Sequence, residues 1–133
     1  MVCVHCGHDT KVANSRDQKR SNGVWRRRKC VYCHSVFTTL ESADYPTTWT
    51  VKTATAARPF LRDKLFLSIY NSCTHRKTAL NDATGLCSTV INKLGEHIKE
   101  GAVAPDTIRG IVLVTLNRFD KSAATHYAAF HKG

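Results

Sequence analysis

The sequence predicts an α+β protein, in which a small all-β unit comes first and a mainly helical unit with a minor β-sheet follows. Two Cys-x2-Cys pairs lie within the first 33 residues and frame a β-prone stretch with an Asn-Gly turn. From about residue 60 onward, apolar residues recur at the spacing of helices. At 133 residues, the chain has room for one medium domain or two small ones.

The paired cysteines predict a structural zinc site. The four candidate ligands are Cys3, Cys6, Cys30 and Cys33. Each pair places two thiolates on a tight turn, and two such turns complete a tetrahedron of sulfur with no open position, which argues against metal catalysis. The segment has too few aliphatic residues to form a hydrophobic core, so the bound metal would stabilise its fold instead. The alternatives are ordinary small apolar residues or a redox pair.

Three histidines near these pairs are further nitrogen donors. They are His5, His8 and His34. Because four thiolates already complete the coordination shell, we expect the histidines to be bystanders or phosphate contacts. Replacement of one cysteine by a histidine is the less favoured alternative.

Residues 1–44 are predicted to form a zinc ribbon, and 42–46 a linker. The predicted strands are 10–16, 24–29 and 36–40. The polar stretch before the second strand ends in Asn22-Gly23, which is a strong hairpin signal. Trp25 is expected to pack on this hairpin.

Residues 47–133 are predicted to form the helical unit, which opens with a strand over 48–53. Pro59-Phe60 is expected to start the first helix, whose apolar stripe is Leu61, Leu65, Ile69 and Cys73. The second helix covers 79–99 and carries Ala83, Cys87, Val90, Ile91, Leu94 and Ile98. The third starts at Pro105 with an apolar face of Ile108, Ile111, Val112, Thr115, Leu116 and Phe119. Asp120 is expected to cap a last helix that carries Ala123, Tyr127 and Phe130.

The charge of the chain points to a polyanionic partner. The formal net charge is +10, and both halves contribute to it. Such a charge favours association with phosphate backbones without specifying a sequence. No apolar run approaches the roughly 18 residues of a membrane helix, and the N-terminus lacks a signal-peptide layout. We therefore expect no membrane association. A reducing cytoplasm is expected as well, because six cysteines in a secreted chain would suggest disulfides.

A basic cluster between the cysteine pairs is the candidate nucleic-acid contact. The candidate residues are Lys11, Arg16, Arg26, Arg27, Arg28 and Lys29. Alternation along a strand sends Arg26 and Arg28 to one face and Arg27 and Lys29 to the other, so we expect only one face to meet a duplex. Arginine suits guanine edges, and the other cations would hold phosphates. The alternative is a merely solvated strand.

Several segments, in this order, resemble the NrdR family of bacterial repressors of ribonucleotide reductase genes. They are Cys3-Val-His-Cys6-Gly7-His8, Lys11-Val-Ala-Asn-Ser-Arg16, Trp25-Arg-Arg-Arg-Lys-Cys30, Cys33-His-Ser-Val-Phe-Thr-Thr-Leu-Glu41 and Arg58-Pro-Phe-Leu-Arg-Asp-Lys-Leu65. The resemblance implies a zinc ribbon that binds double-stranded operator DNA, followed by an ATP-cone domain that binds ATP and dATP. It also implies a homo-oligomer whose state changes with the nucleotide, in the cytoplasm and associated with the bacterial nucleoid.

The same resemblance implies a nucleotide site in the second unit. Its residues would be Val51, Lys52, Lys64 and Arg76. The family's cone usually opens with a Val-x-Lys-Arg-Asp-Gly run, whereas here Thr53, Ala54 and Thr55 follow Lys52. The arginine that could clasp phosphate and the glycine that permits close backbone approach are therefore missing. We expect weaker or less selective nucleotide binding.

Two rival functions remain open at this point. One is a general nucleic-acid-binding zinc-ribbon protein, with RNA as a possible ligand, whose degenerate cone serves only assembly. The other is an enzyme, because cones also regulate reductases and ribbons occur in nucleotide-processing enzymes. The sequence shows no Ser/His/Asp constellation and no cysteine with an evident activating base, so we expect no enzymatic activity.

Overall fold

A computed structural model describes residues 1–131, which fall into two compact units that divide between residues 43 and 44. The first unit is strand-rich and the second is mainly helical with a small sheet, so the predicted fold class is confirmed. No helix in the described part of the chain has the length and apolarity that crossing a membrane requires.

The first unit is a three-stranded antiparallel sheet in the order β1-β2-β3. Its strands are β1 (Thr10–Gln18), β2 (Gly23–Cys30) and β3 (Val36–Glu41). All three predicted strands are present, and the Asn-Gly turn joins the first two. Asn22 has a φ of 49°, the left-handed conformation that asparagine tolerates in tight turns. One register irregularity lies between Val12 and Asn14.

Burial in the first unit is almost absent. Among residues 1–43, all of which the structure describes, only Cys3 and Cys30 are buried. Aliphatic side chains such as Val31, Val36 and Leu40 are exposed. Because so little apolar surface leaves water, hydrophobic burial cannot account for a folded ribbon.

Over its described residues, the second unit contains five helices, of which α2 to α5 pack on one another, and a second small sheet in the order β5-β4-β6. Its elements are α1 (Tyr45–Thr48), β4 (Thr50–Lys52), β5 (Ala57–Pro59), α2 (Arg62–Ser72), α3 (Ala79–Gly95), β6 (Ala102–Val103), α4 (Pro105–Phe119) and α5 (Lys121–Phe130). Strand β4 pairs antiparallel with β5 and parallel with β6. Helices α2 to α5 are the four that the sequence predicts, with shifted ends.

The start of this unit differs from the sequence prediction. A short helix, α1, occupies part of the expected linker, because Tyr45 is buried against the rings of Trp49 and Phe60 at centroid distances of 4.6 and 6.1 Å. Pro59 ends strand β5 instead of starting a helix. Helix α2 begins only at Arg62, since Phe60 is drawn into this aromatic cluster with 2% exposure.

The end of α3 also differs, because the helix stops at Gly95 and not at residue 99. The chain then turns through Gly101, whose φ of +74° favours glycine. The carbonyl of Gly101 accepts a hydrogen bond of 2.8 Å from the amide of Thr50. This turn brings β6 alongside β4, which completes the small sheet.

The core of the second unit confirms most of the predicted apolar stripes. Its fully buried side chains include Ile69, Cys73, Cys87, Val90, Leu94, Val112 and Leu116. The prediction is wrong for Leu61, Phe119 and Phe130, which are 48%, 39% and 71% exposed. Leu61 precedes α2, and the two phenylalanines are the last residues of α4 and α5. Leu61 and Phe130 line a cavity, and Phe119 contacts Arg76.

Candidate functional site

The four cysteines converge on one point. All four Sγ atoms lie within 4.8 Å of one another. The contacts run between the pairs, with 3.7 Å from Cys3 to Cys33 and 3.4 Å from Cys6 to Cys30. A tetrahedron with Zn–S bonds of about 2.3 Å has sulfur–sulfur edges of about 3.8 Å. The cluster therefore has the size and donor chemistry of a four-sulfur zinc site.

Each cysteine pair is shaped by its own backbone. In the first turn, the amide of Gly7, at a φ of +79°, donates to the Cys3 carbonyl at 2.9 Å, and the Cys3 amide donates to the His8 carbonyl at 2.8 Å. In the second, the Cys30 amide donates to the Ser35 carbonyl at 2.9 Å. We call the turns over residues 3–8 and 30–35 the two knuckles. Each holds two thiols on the same side, as a shared ion requires.

Backbone amides also point at the sulfurs. The His5 amide donates to Cys3 Sγ, and the amides of Tyr32 and Cys33 donate to Cys30 Sγ, each at 3.3 Å. Such bonds favour the thiolate, which is the metal-binding form.

The pKa values of Cys33 and Cys6 reflect hydrogen bonds from nearby residues and the neighbouring sulfurs. Hydrogen bonds from Ser35 lower the pKa of Cys33 to about 6. The His8 backbone lowers the pKa of Cys6, but burial and the three neighbouring sulfurs outweigh it and raise the pKa to about 12. Four adjacent thiolates repel one another, so a cation at their centre is needed before all four ionise.

The ribbon sheet has two chemically different faces. Residues that pair across antiparallel strands share a face. Between β1 and β2, the register pairs Lys11 with Lys29, Asn14 with Arg27 and Arg16 with Trp25. All three pairs lie on the same face of the sheet. We call the surface formed by Lys11, Arg16, Arg27 and Lys29 the basic face. All four side chains are exposed, and the Arg16 guanidinium lies 6.0 Å from the centroid of the Trp25 ring.

The opposite face carries the remaining two candidates and both acidic residues of the strands. Arg26 donates to Glu41 Oε1 at 2.9 Å, and Arg28 donates to the Thr10 hydroxyl at 3.4 Å. Both arginines are half-buried. Asp17 and Glu41 each pair with Val24 and therefore lie on this face. The six candidates thus divide into four unneutralised cations on one face and two engaged arginines on the other.

The second unit contains a cavity of about 410 Å³ between β4, β5, α2, α4 and α5. Its lining comprises Val51, Arg58, Pro59, Phe60, Leu61, Lys64, Leu65, Ser68, Pro105, Ile108, Arg109, Tyr127, Phe130 and His131. Apolar and aromatic side chains form most of the wall. The charged side chains are the cations Arg58, Lys64 and Arg109, and the lining includes no carboxylate. The cavity suits an anionic ligand with a flat apolar part.

Comparison with known proteins agrees with the ribbon geometry. The family described as Transcriptional repressor NrdR-like, N-terminal domain, matches residues 1–41. Over 133 residues, the chain is 32% identical to the transcriptional repressor NrdR of Phenylobacterium zucineum, covering 99% of this chain and 85% of the relative. The chain belongs to the NrdR family. The NrdR repressor of Maricaulis maris is also 32% identical, and that of Geobacillus kaustophilus 28%, each over 99% of this chain.

Membership of the NrdR family bears on the predicted class of protein. The relatives are named as transcriptional repressors and not as enzymes, so the expectation that this chain is no enzyme is confirmed. Together with the four-sulfur cluster, the family identifies a zinc-binding transcriptional repressor.

Two residues that the NrdR resemblance places at the nucleotide site do not line the cavity. Val51 and Lys64 do, whereas Lys52 and Arg76 are not among its lining residues. Arg76 instead donates from Nε to Asp82 at 2.9 Å and from Nη1 to Asp120 at 3.0 Å. Its guanidinium also lies 4.5 Å from the centroid of the Phe119 ring. Arg76 therefore ties the α2–α3 connection to α3 and to the start of α5.

Asp120 joins this ion pair to a helix cap. Its Oδ1 accepts from the amides of Ser122 and Ala123 at 2.8 and 3.2 Å, so the predicted N-cap of α5 is confirmed. Its Oδ2 also contacts His75 Nε2 at 2.9 Å. These hydrogen bonds, that of His75 foremost, hold the pKa of Asp120 well below its usual range. The carboxylate therefore stays ionised and available to Arg76 at physiological pH.

Sequence reasoning did not assign Arg58 or Arg109 to a site, and it named His8 without its contact to Tyr32. Arg58 and Arg109 line the cavity from β5 and α4. Arg58 lies in a segment that resembles the family, but it is not among the residues predicted for the nucleotide site. His8 stacks on Tyr32 beside the sulfur cluster. No local pattern links residues so far apart in sequence, so only the closed fold places them together.

Proposed function

We propose that this NrdR-family protein is a zinc-dependent repressor that binds operator DNA of ribonucleotide reductase genes through its ribbon. One observation carries the proposal, namely a four-sulfur cluster beside a sheet with one face on which the charged strand residues are all basic. Zinc would be held by Cys3, Cys6, Cys30 and Cys33. The ion does no chemistry on a substrate, because four sulfurs leave it no open position.

The basic face is the proposed DNA contact. Lys11 and Lys29 pair directly across β1 and β2, and such like charges repel unless a counter-anion lies nearby. A phosphate backbone supplies that counter-charge. Arg16 and Arg27 are the candidates for guanine edges, since a guanidinium can donate to O6 and N7 together. Arg26 and Arg28, on the opposite face, would stabilise the sheet through their hydrogen bonds to Glu41 and Thr10.

A binding titration at matched salt tests specific repression. We expect tandem sites from a reductase promoter to bind at least about 10³-fold more tightly than scrambled duplex. The protein should carry one zinc per chain. Equal affinity for scrambled duplex and single strands would reject the proposal and leave the alternative, a general nucleic-acid-binding ribbon protein whose second unit serves only assembly.

We further propose that ATP or dATP binds in the cavity of the second unit and controls oligomeric state and DNA binding. Lys64 extends from α2 and Arg58 from β5 as cations for the phosphates, and Arg109 of α4, which pairs with Asp106, is a third cation on the wall. Aromatic and aliphatic side chains, Val51 among them, would contact the base. These three cations support phosphate binding despite the missing Arg-Asp-Gly run after Lys52. Lys52 and Arg76, which do not line the cavity, are secondary candidates.

Single substitutions in the cavity test nucleotide binding. We expect Lys64→Ala and Arg58→Ala each to weaken ATP binding by about tenfold, because each removes a charged hydrogen-bond donor for phosphate. Lys77→Ala, an exposed lysine in the α2–α3 connection, is the matched control and should bind as the unaltered protein does. Isothermal titration measures affinity, and native mass spectrometry records the oligomer. Failure of ATP and dATP to bind at millimolar concentration would reject nucleotide sensing and leave the ribbon proposal intact.

A further inference from the structure

A pair of aromatic rings joins the two knuckles outside the sulfur cluster. The rings of His8 and Tyr32 stack with their centroids 4.0 Å apart and their planes 16° from parallel. His8 closes the first knuckle, since its carbonyl accepts from the Cys3 amide at 2.8 Å. Tyr32 lies in the second knuckle, between Cys30 and Cys33. The stack therefore connects the two halves of the cluster by side chains that are not ligands.

His8 also contacts a sulfur directly. Its Nδ1 lies 3.4 Å from Cys6 Sγ. A metal-bound thiolate carries no hydrogen, so in the zinc-loaded protein the imidazole is the donor of this Nδ1–H···S bond. Partners of this kind orient a ligand and strengthen metal binding. One ring thus holds a ligand of the first knuckle and a side chain of the second.

We propose that His8 and Tyr32 form a clasp that slows the release of zinc. The inference rests on the proposed zinc site, and both side chains are positioning residues. Zinc leaves a closed four-sulfur shell as its thiolates detach, and any separation of the two knuckles during this process breaks the stack. Residues 1–43 contain only two buried residues, so few other contacts resist this motion. Tyr32 itself is 67% exposed, which means that the stack is not part of a core.

The rate of zinc transfer from the full-length, zinc-loaded protein to an excess of a colour-forming chelator tests the clasp. We expect His8→Ala to accelerate release by about tenfold. Tyr32→Ala should accelerate it by roughly two- to tenfold, as loss of an aromatic pair implies. Tyr32→Phe keeps the ring and should release zinc at the unaltered rate. His5→Ala is the matched control, since it lies in the same knuckle and the structure describes no hydrogen bond or ring contact for its imidazole.

Coupling between the two residues separates a clasp from two independent effects. The double variant His8→Ala/Tyr32→Ala should release zinc no faster than His8→Ala, because the first substitution already breaks the stack. Multiplied effects in the double variant, or single variants that behave like His5→Ala, would overturn the clasp. Each variant is checked for one bound zinc. An unaltered protein without zinc rejects the proposed metal site, whereas one zinc with unchanged release rates rejects the clasp alone.

Discussion

Removal of zinc is expected to unfold residues 1–43 and to leave the second unit folded. Structural zinc sites contribute about 10–16 kcal/mol of apparent binding free energy, which in small domains is folding free energy. Hydrophobic burial contributes little to the stability of the ribbon, since Cys3 and Cys30 are its only buried residues. The second unit has its own core around residues such as Leu94 and Leu116. We therefore expect the first unit to need the metal for folding and the second unit to fold without it.

Heteronuclear NMR with and without a chelator measures this effect residue by residue. Resonances of the ribbon strands should collapse to random-coil positions, while those of α2 to α5 should stay in place. Cys30→Ser should have the same effect and should abolish DNA binding. Cys87→Ser is the matched control, because Cys87 is fully buried in the core of the second unit. It should keep one zinc and destabilise only that unit. A ribbon that stays ordered without metal would refute the structural role of zinc.

Substitution of Arg27 is expected to weaken operator binding by about tenfold or more, with little effect from Arg26→Ala. The two arginines are adjacent in sequence but lie on opposite faces of β2. Arg27 is exposed on the basic face, whereas Arg26 is already paired with Glu41. Loss of a base-contacting arginine costs about 1–3 kcal/mol of binding free energy. Loss of an arginine neutralised by a neighbour removes little attraction for phosphate.

Lys29→Ala extends this test to the phosphate contacts. It should weaken binding to all duplexes alike and reduce the slope of log affinity against log salt by about one. Fluorescence anisotropy over a range of salt concentrations measures affinity and slope together. Zinc content and NMR spectra confirm that each variant keeps its ribbon. If Arg26→Ala proves more damaging than Arg27→Ala, the DNA lies on the opposite face and the assignment of the basic face is wrong.

Local patterns predict much of this structure because the relevant forces act over short separations. The Cys-x2-Cys spacing places two thiols on one turn whatever surrounds it, and all four sulfurs do meet. Asn22-Gly23 favours a tight hairpin by its backbone preferences, and the hairpin is present. Asp120 caps α5 through amides two and three residues away. The Asn-Gly turn, the Asp120 cap and each Cys-x2-Cys pair involve residues within a few positions of one another, whereas the meeting of the two pairs joins residues 24 and 30 positions apart.

Several predictions that differ from the structure depend on distant partners. Helix α1 and the late start of α2 follow from the cluster of Tyr45, Trp49 and Phe60, in which Phe60 packs on two rings more than ten residues earlier in the chain. Phe130, at the end of α5, lines the cavity and does not join the core. Helical periodicity shows that a stripe exists, but it does not show where the opposing helices end.

The sequence by itself determined the zinc-ribbon chemistry, the three ribbon strands, the four longer helices in order, and the resemblance to the NrdR family, but not α1, β5 or β6. These features depend on residue types and on short spacings along the chain, both of which can be read directly from the sequence. Only the tertiary structure decided which face of β2 is free, because that depends on the register that brings Glu41 of β3 to Arg26. It also decided that Arg58, Lys64 and Arg109 share a cavity and that His8 reaches Tyr32. Such contacts exist only after the chain has closed on itself, when residues from separate elements come within reach of one another.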